Sequence, residues 1–162
     1  MTDPGHSKAL EIIEEAIYHE QASHDYYLQV AEAIHDPSGS AQYRHLAQEE
    51  RNHRDILEER WLRLTGKRFR FDPSRVQDDE LPVPSTNASA IEALTLAMAH
   101  ELEAVEKYRA LIAGAKDEEA RHAYAELAKD EQQHHDWFRD RRDALQKGVR
   151  WFVETLPGAL DG

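Results

Sequence analysis

An internal repeat constrains this chain more than any other feature of its sequence. A shift of 81 residues superimposes residues 46–53, LAQEERNH, on residues 127–134, LAKDEQQH. The same shift matches residues well outside these two segments, so it extends over most of both halves. A common register of this length indicates a duplicated structural unit. The further matched pairs are Glu20 and Glu101, Tyr27 and Tyr108, Tyr43 and Tyr124, Ala16 and Ala97, and His19 and His100.

Apolar residues recur at spacings of three, four and seven, which predicts four helices. We expect these helices at residues 7–35, 41–65, about 87–113 and about 118–147, with turns at 36–40 and 114–117. Ser7 and Asp117 are suitable N-cap residues, and Gly66 and Gly148 are suitable residues to end the second and fourth helices. The fold class is therefore all-α, with two antiparallel helical hairpins.

The segment 67–85 joins the two predicted hairpins and has a different character. It contains three prolines and the acidic run DDE at residues 78–80, without a helical period. Nineteen extended residues reach roughly 60 Å, whereas a helix of about 26 residues is roughly 39 Å long. The segment can therefore run the length of a four-helix bundle as a crossover. We expect one domain at residues 1–148, made of hairpin 7–66, crossover 67–85 and hairpin 86–148, followed by a tail at 149–162 whose aromatic residues pack on the bundle or on a partner subunit.

The composition excludes several classes of function. The chain has no cysteine, which excludes disulfides, thiolate zinc sites and iron–sulfur clusters. The net charge of −12 argues against nucleic acid or an anionic membrane as a partner. The opening residues show no secretory signal pattern. We therefore expect a soluble protein of the cytoplasm.

The repeated segments predict a metal site. A Glu and a His three residues apart project from one face of a helix, and this pair occurs in both segments. Within each predicted hairpin, a further Glu lies at the same distance from the turn as the Glu of the pair, so the hairpins bring all these side chains to one level. Four buried carboxylates would repel one another, whereas two divalent cations would neutralise them. Carboxylates with imidazoles suit iron or manganese, and also zinc. The predicted ligands are Glu20, Glu50, His53, Glu101, Glu131 and His134.

This pattern resembles the ferritin-like di-iron carboxylate superfamily, and within it the rubrerythrin-type domains. The similarity lies in Ala16, Glu20 and Tyr27 on the first helix, and in the motif Y-x-x-L-A-x-E-E-x-x-H at residues 43–53. The resemblance implies a four-helix bundle of ferritin-like type with two iron ions, although manganese or a mixed pair is also possible. It implies that Glu50 and Glu131 bridge the ions, that Glu20 and Glu101 are terminal ligands, and that His53 and His134 each bind one ion.

Two features depart from the rubrerythrin pattern. Ala104 occupies the position, three residues after Glu101, where rubrerythrins usually carry a further glutamate, and the cysteine-rich rubredoxin module is absent. The resemblance implies an oxidoreductase in which Fe(II) reacts with H2O2 or O2, as a peroxidase or ferroxidase, and the missing module implies an external electron donor. Iron storage, hydroxylation of an organic substrate and a manganese catalase-like activity are the alternatives. A homodimer is expected by the same resemblance.

Other polar residues near the predicted ligands each have two alternative roles. Tyr27 and Tyr108 lie two turns after a ligand glutamate, where they either pack in the core or donate a hydrogen bond to a ligand. Asp55 and Asp136 either orient a ligand histidine or lie at the surface. The remaining repeated histidines each precede a ligand glutamate by one residue and are expected to face solvent. These histidines are His19 and His100.

Overall fold

A computed structural model describes residues 4–34, 36–77, 83–84 and 87–148 of the chain. Four long helices account for most of this part of the molecule, and it contains no β-strand. The all-α fold predicted from the sequence is confirmed. The helices are α1, Pro4–Ala33; α2, Pro37–Thr65; α3, Asn87–Gly114; and α4, Glu118–Gln146, with a short 3-10 helix at Pro73–Arg75 between α2 and α3.

The helix ends follow from a few capping residues. The Asp36 carboxylate accepts a hydrogen bond from the Gly39 amide at 2.9 Å. Pro37 occupies the first helical position, where an N–H would have no acceptor within the helix, so its absence costs no hydrogen bond. The expected turn at 36–40 is therefore wrong in its extent, because residues 37–40 already form the first turn of α2. Asp117 caps α4 as predicted, and Gly66 ends α2 with a φ of 73°. The prediction that Ser7 caps the first helix is wrong, because α1 already begins at Pro4 and contains Ser7. His35, the predicted last residue of the first helix, lies outside the described residues.

The bundle consists of two hairpins with an apolar cluster on each side of a polar layer. α1 packs against α2 and α3 against α4, while α1 also contacts α3 across the hairpins. One apolar cluster contains Tyr27, Tyr43 and Phe138, and the other contains Ile17 and Leu57. The helical segments that connect the two clusters carry the predicted metal ligands, so the fold places these polar groups in the centre of the bundle.

The first part of the crossover is bound to the outside of α1 and α2. Phe71 stacks on Tyr18 with 5.3 Å between ring centroids, and the guanidinium of Arg54 lies 3.7 Å from the centre of the Phe71 ring. The Asp72 amide donates a hydrogen bond to the Tyr18 hydroxyl at 3.1 Å. These contacts fix the direction in which the chain leaves the first hairpin. The tail at 149–162, with its predicted packing, lies outside the described residues.

None of the helices in the described ranges is long and apolar enough to cross a membrane.

Candidate metal centre

The six predicted ligands lie together in the middle of the bundle. Each is at most 4 % exposed, although all six are ionisable. Their donor atoms form two groups, and within each group one donor atom per residue lies within 4.8 Å of the others. Glu50 and Glu131 belong to both groups, so their carboxylates lie between two potential ion positions. The groups are Glu20, Glu50, His53 and Glu131, and Glu50, Glu101, Glu131 and His134.

Several of these buried atoms have no hydrogen-bond partner. Both carboxylate oxygens of Glu50 are unpartnered, as are Oε2 of Glu20 and Oε2 of Glu131. Nδ1 of His134 lies 2.8 Å from Oε1 of Glu50, but these two atoms do not make a hydrogen bond of acceptable geometry. A buried polar atom without a partner destabilises the fold by about 1–3 kcal/mol, and more if it is charged. The centre is therefore poorly satisfied by protein groups alone.

Two acidic residues hold the histidines from the opposite hairpin. Nε2 of His53 on α2 lies 3.1 Å from Oδ2 of Asp130 on α4, and Nε2 of His134 on α4 is hydrogen-bonded to Glu49 on α2. A carboxylate that accepts from one ring nitrogen fixes the orientation of the imidazole and makes the other nitrogen a better metal ligand. Sequence reasoning missed these residues. The signal was present, because Glu49 and Asp130 are themselves related by the 81-residue shift.

The two tyrosines also act across the hairpins. The Tyr27 hydroxyl on α1 donates to Glu101 on α3, and the Tyr108 hydroxyl on α3 donates to Glu20 on α1. Both tyrosines are buried, so each serves the core packing and the hydrogen bonding that the sequence left as alternatives. Burial and the neighbouring carboxylates raise the pKa of each hydroxyl well above its ordinary value, which keeps it a donor.

The carboxylates cannot all be ionised in the absence of cations. Burial and the charges of neighbouring glutamates raise the pKa of Glu50 well above its ordinary value, and the same causes raise the pKa of Glu101 to about 7. Burial also opposes ionisation of Glu20, but the adjacent Glu50 and His53 side chains lower its pKa overall.

The two histidines have the opposite tendency. Burial alone would lower the pKa of His53 and His134, but their hydrogen bonds to acidic groups raise it above the ordinary value. Without cations, these raised pKa values favour the protonated forms of the two histidines and of Glu50. Divalent cations would displace these protons, since both imidazole and carboxylate bind metals in their deprotonated forms. Two cations carry four positive charges, which match four glutamates, so the residues present fit a dinuclear metal site.

Comparison with known proteins identifies the family. The family model for rubrerythrin matches residues 11–141, which includes all four helices except their outer ends. The chain belongs to the rubrerythrin family. A solved structure described as a hypothetical protein from Pyrococcus furiosus has a TM-score of 0.77 at 24 % identity, and the match covers 88 % of this chain and 93 % of that one. No curated protein matches the chain.

The rubrerythrin family is part of the ferritin-like di-iron superfamily, and the structure shows how the centre of this chain differs from the usual family pattern. Ala104 is buried in the apolar cluster with Leu111 and Leu127, where it supplies no donor to the centre. The two potential ion positions of this rubrerythrin-family protein are therefore surrounded by equivalent sets of three carboxylates and one imidazole. Asp55 and Asp136 lie outside this set, because they pair with Arg51 and Arg139 on their own helices.

An apolar groove leads to one side of the centre. It lies between α2 and α4, has a volume of about 440 Å³, and is lined by Leu46, Trp137, Glu49 and His134 among others. His134 is a predicted ligand and Glu49 accepts its hydrogen bond. A small molecule that enters this groove would therefore arrive next to one of the two ion positions.

The expected solvent exposure of His19 and His100 is wrong. Both rings are half-buried between α1 and α3, where they stack with 3.7 Å between centroids and an interplanar angle of 11°. Burial, together with the nearby His100 and Lys107, lowers the pKa of His19 to about 3. Within its own helix, each histidine points away from the centre, which is why the sequence predicts exposure. The packing of α1 against α3 nevertheless covers both rings.

Proposed function

We propose that this rubrerythrin-family protein is a non-haem di-iron oxidoreductase, in which Fe(II) reacts with H2O2 or O2 in a peroxidase or ferroxidase activity. The observation that supports this most directly is the pair of overlapping donor groups that share Glu50 and Glu131. A carboxylate common to two groups can bridge two ions, and two adjacent redox ions can together supply the two electrons that reduce peroxide. Iron is the metal we propose, with manganese or a mixed pair as the other options.

The residues of the chain have distinct tasks in this proposal. Glu50 and Glu131 would bridge the ions, Glu20 with His53 would hold one ion, and Glu101 with His134 would hold the other. Asp130 and Glu49 orient the two imidazoles through their Nε2 atoms. Tyr27 and Tyr108 hold the outer carboxylates by donating hydrogen bonds to Glu101 and Glu20. The surrounding apolar clusters exclude bulk water.

The partners follow from the same proposal. An oxidant as small as H2O2 or O2 needs only a narrow approach, and the groove beside His134 provides one. Electrons must come from a separate donor, since the chain has no cysteine for a rubredoxin-type iron centre. We place the protein in the cytoplasm as a homodimer, without nucleic acid or membrane among its partners.

The test is a stopped-flow measurement on the anaerobic Fe(II)-loaded protein, mixed separately with H2O2 and with O2. We expect rapid oxidation of two Fe(II) per chain by at least one of the two oxidants. Glu131→Gln should slow this reaction strongly, because it removes a charge shared by both ion positions. Glu126→Gln, an exposed carboxylate on the same helix, is the matched control and should behave as the wild type. Equal rates in the two variants, or no oxidation in the wild type, would refute the proposal.

A second function is favoured by the size and character of the groove. Its volume of about 440 Å³ exceeds what H2O2 or O2 requires, and apolar side chains such as Leu46 and Trp137 contribute to its lining. Hydroxylation of a small apolar substrate is therefore the alternative activity. Substrate-dependent consumption of O2, lost in a Leu46→Trp variant that narrows the groove, would favour this alternative over peroxide reduction.

A further inference from the structure

A second cluster of metal-binding side chains lies between α1 and α3, outside the six residues of the central site. It contains His19, His100 and Glu103, and one donor atom from each of these residues lies within 4.8 Å of the others. His19 and His100 are half-buried, while Glu103 is exposed. The two histidines occupy equivalent positions in the repeat, so the cluster lies where the two hairpins meet.

The hydrogen bonds around this cluster determine which nitrogen of each ring can bind a metal. Nε2 of His19 lies 3.1 Å from the carbonyl oxygen of His100, which can only accept, so this nitrogen carries the hydrogen. The Ser23 hydroxyl donates its hydrogen to the carbonyl oxygen of His19 at 3.1 Å. Nε2 of His100, at 2.7 Å from the Ser23 oxygen, must therefore be the donor in that contact. In both neutral rings the lone pair is then on Nδ1.

This arrangement is the one that metal-binding histidines commonly have. Such a histidine donates one ring N–H to a carbonyl or another fixed acceptor, and this contact orients the other nitrogen toward the ion. Here the acceptors are the His100 carbonyl and the Ser23 hydroxyl, and Ser23 is itself buried. The two rings thus have the required tautomer before any ion binds.

The surroundings allow an ion to enter. A groove of about 360 Å³ adjoins the two rings, and its lining includes Glu15, Arg75 and Lys107 besides the cluster itself. Two carboxylates, from Glu15 and Glu103, face two cationic side chains, and Arg75 is engaged by Glu14. The groove is therefore close to neutral, and two imidazoles select transition metals over magnesium or calcium.

We propose that His19, His100 and Glu103 form a third metal site, which binds one divalent transition-metal ion through Nδ1 of each imidazole and the carboxylate. Imidazole nitrogens bind zinc at about 2.0–2.1 Å, so the three donors must move closer together than 4.8 Å when the ion binds. The two rings are nearly parallel, so binding requires them to rotate out of the stack until both lone pairs point at the ion, while the exposed Glu103 side chain moves toward it. The site is independent of the proposed oxidoreductase activity, because it shares no donor with the central groups.

Zinc stoichiometry tests the proposal. Equilibrium dialysis with Zn²⁺ and elemental analysis should give three ions per wild-type chain and two per chain in His100→Ala. Glu103→Gln, a change at an exposed position, should lower the affinity for the third ion at least tenfold. The matched controls are His122→Ala and Glu106→Gln, both exposed, and both should retain three ions. Circular dichroism checks that each variant keeps its helices. Equal zinc content in His100→Ala and His122→Ala would overturn the proposal.

Copper provides a direct signature of the ligands. Cu²⁺ bound at the third site should show electron paramagnetic resonance couplings to two nitrogens, whereas each central position offers one imidazole. In a Glu50→Ala, Glu131→Ala background that disables the centre, we expect one copper with two nitrogens, lost on His19→Ala. A single nitrogen coupling in that background would refute the third site. If wild-type protein binds only this one ion, the third site stands and the proposed di-iron function fails.

Discussion

Glu101→Gln should make the metal-free protein more stable at neutral and alkaline pH. The Glu101 carboxyl is fully buried, and its pKa is raised from 4.5 to about 7 by burial and by the charge of Glu131. Between these two pH values the folded chain keeps a proton that the unfolded chain has lost. The free energy of unfolding therefore falls as pH rises, by up to about 1.4 kcal/mol per pH unit. The full loss, reached above the folded pKa, is about 3 kcal/mol.

Glutamine removes the ionisation but keeps an oxygen that can accept the hydrogen bond from Tyr27. Near pH 4.5 the metal-free variant and the wild type should be about equally stable. At pH 8 the variant should be more stable by up to about 3 kcal/mol, since it has no carboxyl to ionise. The raised pKa of His53 also lowers stability with rising pH, and this contribution is common to both proteins. The raised pKa of His134 depends partly on Glu101, so the variant also loses part of that second decrease with pH.

The assay is urea unfolding followed by circular dichroism, in the presence of a chelator, at several values between pH 4.5 and pH 8. Glu106→Gln is the control, because this exposed carboxylate on the same helix should leave the wild-type pH profile unchanged. Excess Fe(II) or Zn²⁺ should reverse the order of stability at pH 8, because it should stabilise the wild type more than the variant. Parallel pH profiles for wild type and Glu101→Gln without metal would refute the reasoning, because the buried carboxyl would then carry no additional proton.

Three further predictions concern single side chains. Asp130→Ala should lower metal affinity about ten- to a hundredfold in chelator competition, because His53 loses the acceptor at Nε2, while Asp136→Ala should have no such effect; equal affinities would contradict this. Phe138→Ala should lower the free energy of unfolding by about 3–5 kcal/mol, measured with metal-free protein, and an unchanged melting temperature would be inconsistent with its complete burial. Asp36→Ala should destabilise the fold by about 1 kcal/mol and Asp36→Asn by less, and the reverse order would argue against the cap.

The polar layer could be predicted from the sequence because it depends on geometry within each hairpin. Glu20 and Glu50 lie at equal distances from one turn, and Glu101 and Glu131 lie at equal distances from the other. A helical period and the position of a turn are enough to bring such residues to one level. The repeat then relates the two hairpins, so the burial of all six side chains followed from the pattern.

The contacts between the hairpins could not be predicted in the same way, because they depend on how each helix is rotated about its axis. Asp55 is a plausible partner for a ligand histidine by sequence, but it follows His53 by two residues and so points about 200° away around the helix. Glu49 precedes His53 by four residues and faces the same side, which allows it to reach His134 on α4. The stack of His19 on His100 likewise depends on the packing of α1 against α3.

Neither four-donor group can be assembled from one hairpin. Glu131 completes the group that contains Glu20 and His53, and Glu50 completes the group that contains Glu101 and His134. Bound ions would therefore cross-link the two halves of the molecule, besides taking part in the proposed reaction. A chain cut within the crossover would give two fragments whose reassociation strengthens as the free metal concentration rises, so that assembly of the fold itself would report on the supply of iron.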